Sequence, residues 1–188
     1  TKCMTAGEAG MIACTTQREA EWFRKARLYG NGNAVYKREK MYDTGEAYWW
    51  FESEFEGWKA NPTDISATIG LIQLEKLDQM NADRKRIAEK YNQAFGLTED
   101  RSPWHLYPML VPNRDKFMYY MRDNGVKCSV HFPPLHMMKA FKKYVTWSLP
   151  VTEKVYASIV SLPLYPDLKD EEVDYIIDLV LKWKKENQ

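Results

Sequence analysis

Between Pro62 and Gly96, apolar residues recur at helical spacing: Ile65, Ile69, Ile72, Leu77, Met80, Ile87, Ala88 and Tyr91. This is the longest amphipathic run in the chain, and it predicts a helix, either unbroken or kinked near Asn81. Pro62 closes an extended approach, Thr63 offers an N-cap hydroxyl, and Asp64 and Ser66 fall in the first turn. Gly96 supplies the stop. At the usual rise per residue such a helix spans roughly 50 Å. That exceeds one small core, so the helix is expected to bridge two domains or two subunits.

Upstream, the apolar stretch from Ala9 to Thr15 reads as a short buried strand. Thr16 then stands at an N-cap, with Glu19 three residues on as its capping-box partner. A helix from Gln17 to Tyr29 follows, with Ala20, Phe23, Ala26 and Leu28 inward, and Gly30-Asn31-Gly32-Asn33 stops it. Residues from about 31 to 60 show no helical period, although Tyr48-Trp49-Trp50-Phe51 is a candidate strand. A loop of that length is usually functional or poorly ordered.

Downstream, strand and helix patterns alternate. His105 to Val111 reads as strand, Arg114 to Asn124 as helix with Gly125 as its cap, and Val126 to Phe132 as strand. Val151 to Ile159 reads as a short helix and Ser158 to Leu162 as a short strand. Asp170 to Lys185 is an amphipathic helix with Val173, Ile176, Ile177, Val180, Leu181 and Trp183 inward. The expected architecture is α/β, with a small domain over 98–188.

Composition narrows the function classes. The 27 Lys+Arg nearly cancel the 26 Asp+Glu, which argues against an electrostatic nucleic-acid or membrane-surface role. Cys3, Cys14 and Cys128 are widely spaced and make no metal pattern, which fits a reducing, cytoplasmic compartment. No apolar run approaches the roughly 20 residues that span a bilayer. His105, His131 and His136 do not form a metal site: the last two are five apart across Pro133-Pro134, which suits neither a helix face nor a strand face.

Lys2 is the first candidate for chemistry. It precedes the glycine-bearing turn Thr5-Ala6-Gly7-Glu8-Ala9-Gly10. Glycines let backbone approach a flat cofactor, and lysine is the residue that forms Schiff bases with pyridoxal phosphate. Alone, a lysine so placed is most simply a solvated amine. The run resembles the segment around the Schiff-base lysine of the DegT/DnrJ/StrS family of pyridoxal-phosphate-dependent sugar aminotransferases, with Ala9 where glycine is usual. The likeness continues through Gly57-Trp58-Lys59-Ala60-Asn61-Pro62-Thr63 and the long helix. It extends over Trp104-His105-Leu106-Tyr107, Val130-His131-Phe132-Pro133-Pro134-Leu135-His136 and Ser161-Leu162-Pro163-Leu164-Tyr165-Pro166.

The resemblance implies the C-terminal half of a fold-type I aminotransferase. Its parts would be the end of the large cofactor-binding domain over 1–62, a connecting helix over 63–97 and a small α/β domain over 98–188. It implies that Lys2 holds pyridoxal phosphate as a Schiff base and is displaced by an amino donor, usually glutamate. The freed lysine then carries the proton between the donor α-carbon and the cofactor. The substrate implied is a nucleotide-linked keto-sugar and the assembly a homodimer. Family members with histidine in place of the lysine act as dehydratases, so Lys2 points to amino transfer.

Lys59 stands where many family members have the asparagine that reaches the cofactor phosphate of the neighbouring subunit, and Asn61 lies two residues on. A cation or an amide can each hold a phosphate oxygen, so both remain candidates. The resemblance places His131 and His136 on a loop lining the sugar-nucleotide cleft, while His105 reads as structural, in strand packing beside Trp104. Trp49, Trp50 and Trp58 suit a dimer interface better than a base-stacking platform. Arg84-Lys85-Arg86 reads as a solvated helix face. Two rivals stand beside the enzyme: a non-catalytic, truncated family member acting as a folded or dimerising module, and a small nucleic-acid-binding module, which the charge balance disfavours.

Overall fold

The computed structural model of the protein describes residues 2–31, 41–45, 49, 52–98, 104–145 and 147–187. Of the candidate strand Tyr48–Phe51, all but Trp49 lies outside the described residues. The chain divides into two compact units. One is Thr5–Gln73; the other joins the N-terminal residues up to Met4 with everything from Leu74 onward.

In the first unit, helix α1 spans Gln17–Ala26 and opens on the capping box that the sequence predicts. The Thr16 hydroxyl accepts from the Glu19 amide at 3.2 Å, and the Glu19 carboxylate accepts from the Thr16 amide at 3.0 Å. The Thr15 hydroxyl also donates to Glu19, and these hydrogen bonds hold its carboxyl below the usual range.

The helix ends three residues before Tyr29 for a long-range reason. Trp58 donates its amide to Ala26 O at 2.7 Å, Ala60 donates to Arg27 O at 2.8 Å, and Tyr29 donates to Trp58 O at 3.0 Å. Chain segment 57–60 thus takes the carbonyls that a further helical turn would need. The approach is close enough to demand glycine: a Cβ on Gly57 would stand 2.2 Å from Gly30 N and 2.7 Å from Ala26 O.

Residues 9–15 form no strand, contrary to expectation. Met11 is 88% exposed and Ile12 60% exposed. A strand needs a neighbour to satisfy its backbone, and among the described residues none pairs with this stretch.

Helix α2, Asp64–Phe95, is continuous and capped as predicted, with the Ser66 amide donating to the Thr63 hydroxyl at 3.2 Å. Its predicted apolar face is buried only in its C-terminal part. Ile87, Ala88 and Tyr91 are fully covered, whereas Ile65 is 77% exposed. Arg84 is buried and donates to Met80 O at 3.2 Å. Arg86 pairs with Asp170 and reaches Leu168 O at 3.3 Å, so the basic triplet is not the free solvated face the sequence suggests.

The second unit is built on a two-stranded antiparallel sheet. Strand β1, Tyr107–Leu110, pairs with β2, Ile159–Leu162, in the register Tyr107–Leu162 to Leu110–Ile159. Tyr107 and Met109 alternate into the core. Helices α3 (Arg114–Asp123), α4 (Pro150–Ser158) and α5 (Asp170–Glu186) complete the unit.

The predicted strand over 126–132 reduces to one bridge, Ser129 with Ser161. Their backbones exchange hydrogen bonds of 3.1 and 2.7 Å. Pro133 and Pro134 have no amide to carry the ladder further. The same exchange explains why Pro108 is tolerated opposite Ser161 in β1, since Ser161 spends both backbone groups on Ser129. On α5, Leu179 is buried at 7% while Leu181, expected inside, is 42% exposed. Ile176 and Trp183 widen the buried stripe on the Leu179 side.

Tyr91 sits at the centre of this core. Its ring lies 4.8 Å from that of Tyr107 and 5.9 Å from that of Phe95, and its hydroxyl donates to Pro163 O at 3.1 Å. Tyr91→Phe leaves that carbonyl short of a buried partner and should lower stability by about 1–2 kcal/mol in urea unfolding. Ile87→Ala, which opens a cavity beside it, should cost about 2–5 kcal/mol in the same assay. Burial pushes the Cys128 thiol up to about 11, so little thiolate exists at neutral pH. Iodoacetamide at mildly alkaline pH should therefore leave Cys128 unmodified until the protein is unfolded, as read by peptide mass.

Candidate cofactor and substrate site

Lys2 belongs to the same compact unit as the small sheet. Its side chain is exposed, and Nζ lies 3.3 Å from Nε2 of His105. The next residue repeats the contact one step along: Cys3 Sγ stands 3.9 Å from the carbonyl of Trp104. Trp104 is buried and stacks on Tyr107 at 5.6 Å, so this part of the N-terminal run rests against the rigid mouth of β1.

His105 is therefore not packed within a strand, as the sequence suggested; it precedes β1 and faces the lysine. Burial holds its imidazole below the ordinary range, and the charges of Lys2 and His131 act in the same sense. The ring's hydrogen bond to its own backbone pulls the other way. A lysine ammonium has no lone pair, so with Lys2 charged the imidazole Nε2 is the acceptor.

His131 is anchored by the sheet. Its Nδ1 lies 3.1 Å from the hydroxyl of buried Ser161 and 3.4 Å from that of Ser129. Phe132 meets the ring edge to face at 5.3 Å and is itself exposed. His136 is tied elsewhere: Nε2 is 3.1 Å from Glu153 Oε1 on α4, and the side chain is only 13% exposed. That contact fixes the short 3-10 turn Leu135–Met137 to the helix.

Lys59 and Asn61 belong to the other unit. Lys59 Nζ lies 5.8 Å from the centre of the Tyr29 ring, a cation–π arrangement. Asn61 donates to Pro62 O at 3.4 Å. Both are exposed just ahead of α2, where an amide or ammonium remains accessible to an anion. Trp49 and Trp58 are also exposed, and Trp50 lies outside the described residues.

Of the residues singled out in the sequence, Lys2 meets His105 directly, and the charge of His131 also acts on that ring. The sequence reading took His105 as structural and did not foresee its meeting with Lys2. One signal was available: a titratable residue two positions before a buried strand residue and next to a buried tryptophan. Among the described residues no group of His, Cys, Asp or Glu is placed to hold a metal. No helix among them is long and apolar enough to cross a membrane.

Residues 1–181 match the DegT/DnrJ/EryC1/StrS aminotransferase family. The chain belongs to this family. It is 34% identical to an uncharacterised protein of Methanocaldococcus jannaschii, covering 100% of the chain and 53% of that protein. It is 32% identical to the spore coat polysaccharide biosynthesis protein SpsC of Bacillus subtilis, covering 96% and 50%. The chain therefore spans about half the length of these relatives.

The fold agrees with the family assignment. The sugar aminotransferase CalS13 of Micromonospora echinospora superposes with a TM-score of 0.80 at 20% identity, over 96% of this chain and 49% of that one. The aminotransferase PseC of Helicobacter pylori, involved in pseudoaminic acid biosynthesis, gives a TM-score of 0.74 at 23% identity, over 89% and 46%. The architecture is that of about half of a fold-type I sugar aminotransferase.

Proposed function

We propose that the protein is a pyridoxal-phosphate-dependent aminotransferase acting on a nucleotide-linked keto-sugar. In this reading glutamate is the amino donor, and the enzyme works as a cytoplasmic homodimer. Residues 1–62 then belong to the large cofactor-binding domain, 63–97 to the connecting helix and 98–188 to the small domain. The observation that carries the reading is the family match over 1–181; in this reading Lys2 takes the cofactor-lysine role, and its amine is exposed, 3.3 Å from the His105 imidazole. The name of SpsC, a polysaccharide biosynthesis protein, supports a sugar-derived substrate. The near-zero charge balance favours a small molecule over a nucleic acid, and the three free cysteines suit a reducing compartment.

The residues present fit the cofactor. Lys2 offers an accessible primary amine on a short run held at two successive positions, and Lys59 and Asn61 offer exposed donors for the phosphate of a neighbouring subunit's cofactor. When bound, pyridoxal phosphate supplies a carbonyl that captures amines and a conjugated ring that withdraws electrons. In this scheme Lys2 Nζ is the point of covalent attachment and, once free, carries the proton to and from the donor α-carbon. The Lys59 ammonium or the Asn61 amide holds a phosphate oxygen of the neighbouring subunit's cofactor. His131, its ring fixed through Nδ1, and His136 hydrogen-bond sugar hydroxyls or phosphate.

Borohydride treatment of the full-length protein should fix the cofactor to Lys2, as read by peptide mass; recovery of the label on another lysine overturns the assignment. Lys2→Ala should abolish amino transfer while leaving the circular dichroism and unfolding midpoint unchanged. Lys59→Ala and Asn61→Ala, made separately, should identify the phosphate contact: the true one weakens cofactor affinity roughly tenfold or more, as for a lost hydrogen bond to a charged group. If neither alters cofactor affinity, the phosphate role fails for both.

A further inference from the structure

We infer that His105 is a positioning residue for the cofactor lysine, with its Nε2 holding Lys2 Nζ in one place by accepting from the charged amine and donating to the neutral one. The inference rests on the reading of Lys2 given above.

Nζ and Nε2 are 3.3 Å apart, across 103 positions of sequence. The base on which His105 stands is rigid. Trp104 is buried and stacked on Tyr107, and Tyr107 opens β1 opposite Leu162. The lysine stem is the mobile partner: four methylenes with many rotamers, on a segment without regular structure. The Cys3 contact to the Trp104 carbonyl locates that segment's backbone, and the His105 contact locates the amine at its end.

The chemistry of the ring suits the task. An amine that alternates between covalent attachment, free base and ammonium needs a neighbour that follows it. Imidazole is the side chain whose one nitrogen accepts in one tautomer and donates in the other. Lys and Arg cannot accept, and a carboxylate cannot donate while ionised. Burial is the first cause that lowers His105; among the described residues the charges of Lys2 and His131 act in the same sense and the ring's hydrogen bond to its own backbone opposes them, so the balance favours a neutral ring beside the ammonium. His131 is oriented elsewhere, with its Nδ1 3.1 Å from the Ser161 hydroxyl and 3.4 Å from that of Ser129.

The test uses the full-length protein without cofactor. By NMR of histidine ring signals, His105 should titrate at higher pH in Lys2→Met than in the parent, since one of the charges holding it down is gone. An unchanged midpoint overturns the contact. The rate at which added pyridoxal phosphate becomes fixed to Lys2, trapped by borohydride and read by peptide mass, should fall roughly tenfold in His105→Phe. In His105→Gln, whose amide reaches the Nε2 position and can both accept and donate, it should stay within about twofold of the parent. Equal rates in all three overturn the positioning role. Label on a lysine other than Lys2 in the parent would instead refute the cofactor-lysine reading, and the titration would still decide the contact.

Discussion

The burial of Tyr91 is the constraint on which the C-terminal unit depends. A phenol placed at zero exposure must bring its own acceptor, and the carbonyl of Pro163 supplies it at 3.1 Å. Burial pushes the Tyr91 hydroxyl well above its usual range, so it remains a donor. Around the ring, Phe95 from the same helix and Tyr107 from β1 complete an aromatic cluster. Such pairs each add about 0.5–1.5 kcal/mol beyond the area they bury. The cluster therefore sets both where α2 docks and where β1 begins.

The candidate site inherits its precision from that cluster. Tyr107 donates to the Asn92 side chain at 2.9 Å and stacks against Trp104, which leaves His105 little freedom at the mouth of the strand. Across the sheet, Ser161 on β2 holds Ser129 by backbone and His131 by side chain. Lys2 and His131, on irregular segments, are thus each tied to the sheet or its immediate flank. This is how a loop residue gains the positional definition of a strand residue.

The other unit shows the same dependence on distant partners in a simpler form. Its helix begins by local rules and ends by a remote one. Trp22 stacks on Phe55 at 5.3 Å, Lys25 pairs with Glu54 at 2.6 Å, and the amides of Trp58 and Ala60 take the carbonyls at the end of α1. Lys59 emerges from that docked segment, so its position depends on two close approaches of backbone, at Gly30 and Gly57, that admit no side chain.

What the sequence determined by itself was whatever a few neighbouring residues could decide. The capping box of Thr16 and Glu19, the Thr63 cap, the length of α2 to Gly96 and the span of α5 all rest on contacts within a turn or two of helix. The run around Lys2 and the later motifs were legible for a different reason: they resemble a family, and the family match over 1–181 bears that out. Tertiary structure decided the rest. Among the described residues 9–15 have no strand partner and 126–132 keep a single bridge, α1 stops at Ala26 where Trp58 intervenes, and Arg84 is buried although three basic residues in a row suggest a wet face. His105 belongs to this second group. Strand pairing, burial and the meeting of an amine with an imidazole 103 positions away are long-range events. Local periodicity carries no information about which distant group arrives, because the free energy that selects it comes from the assembled core.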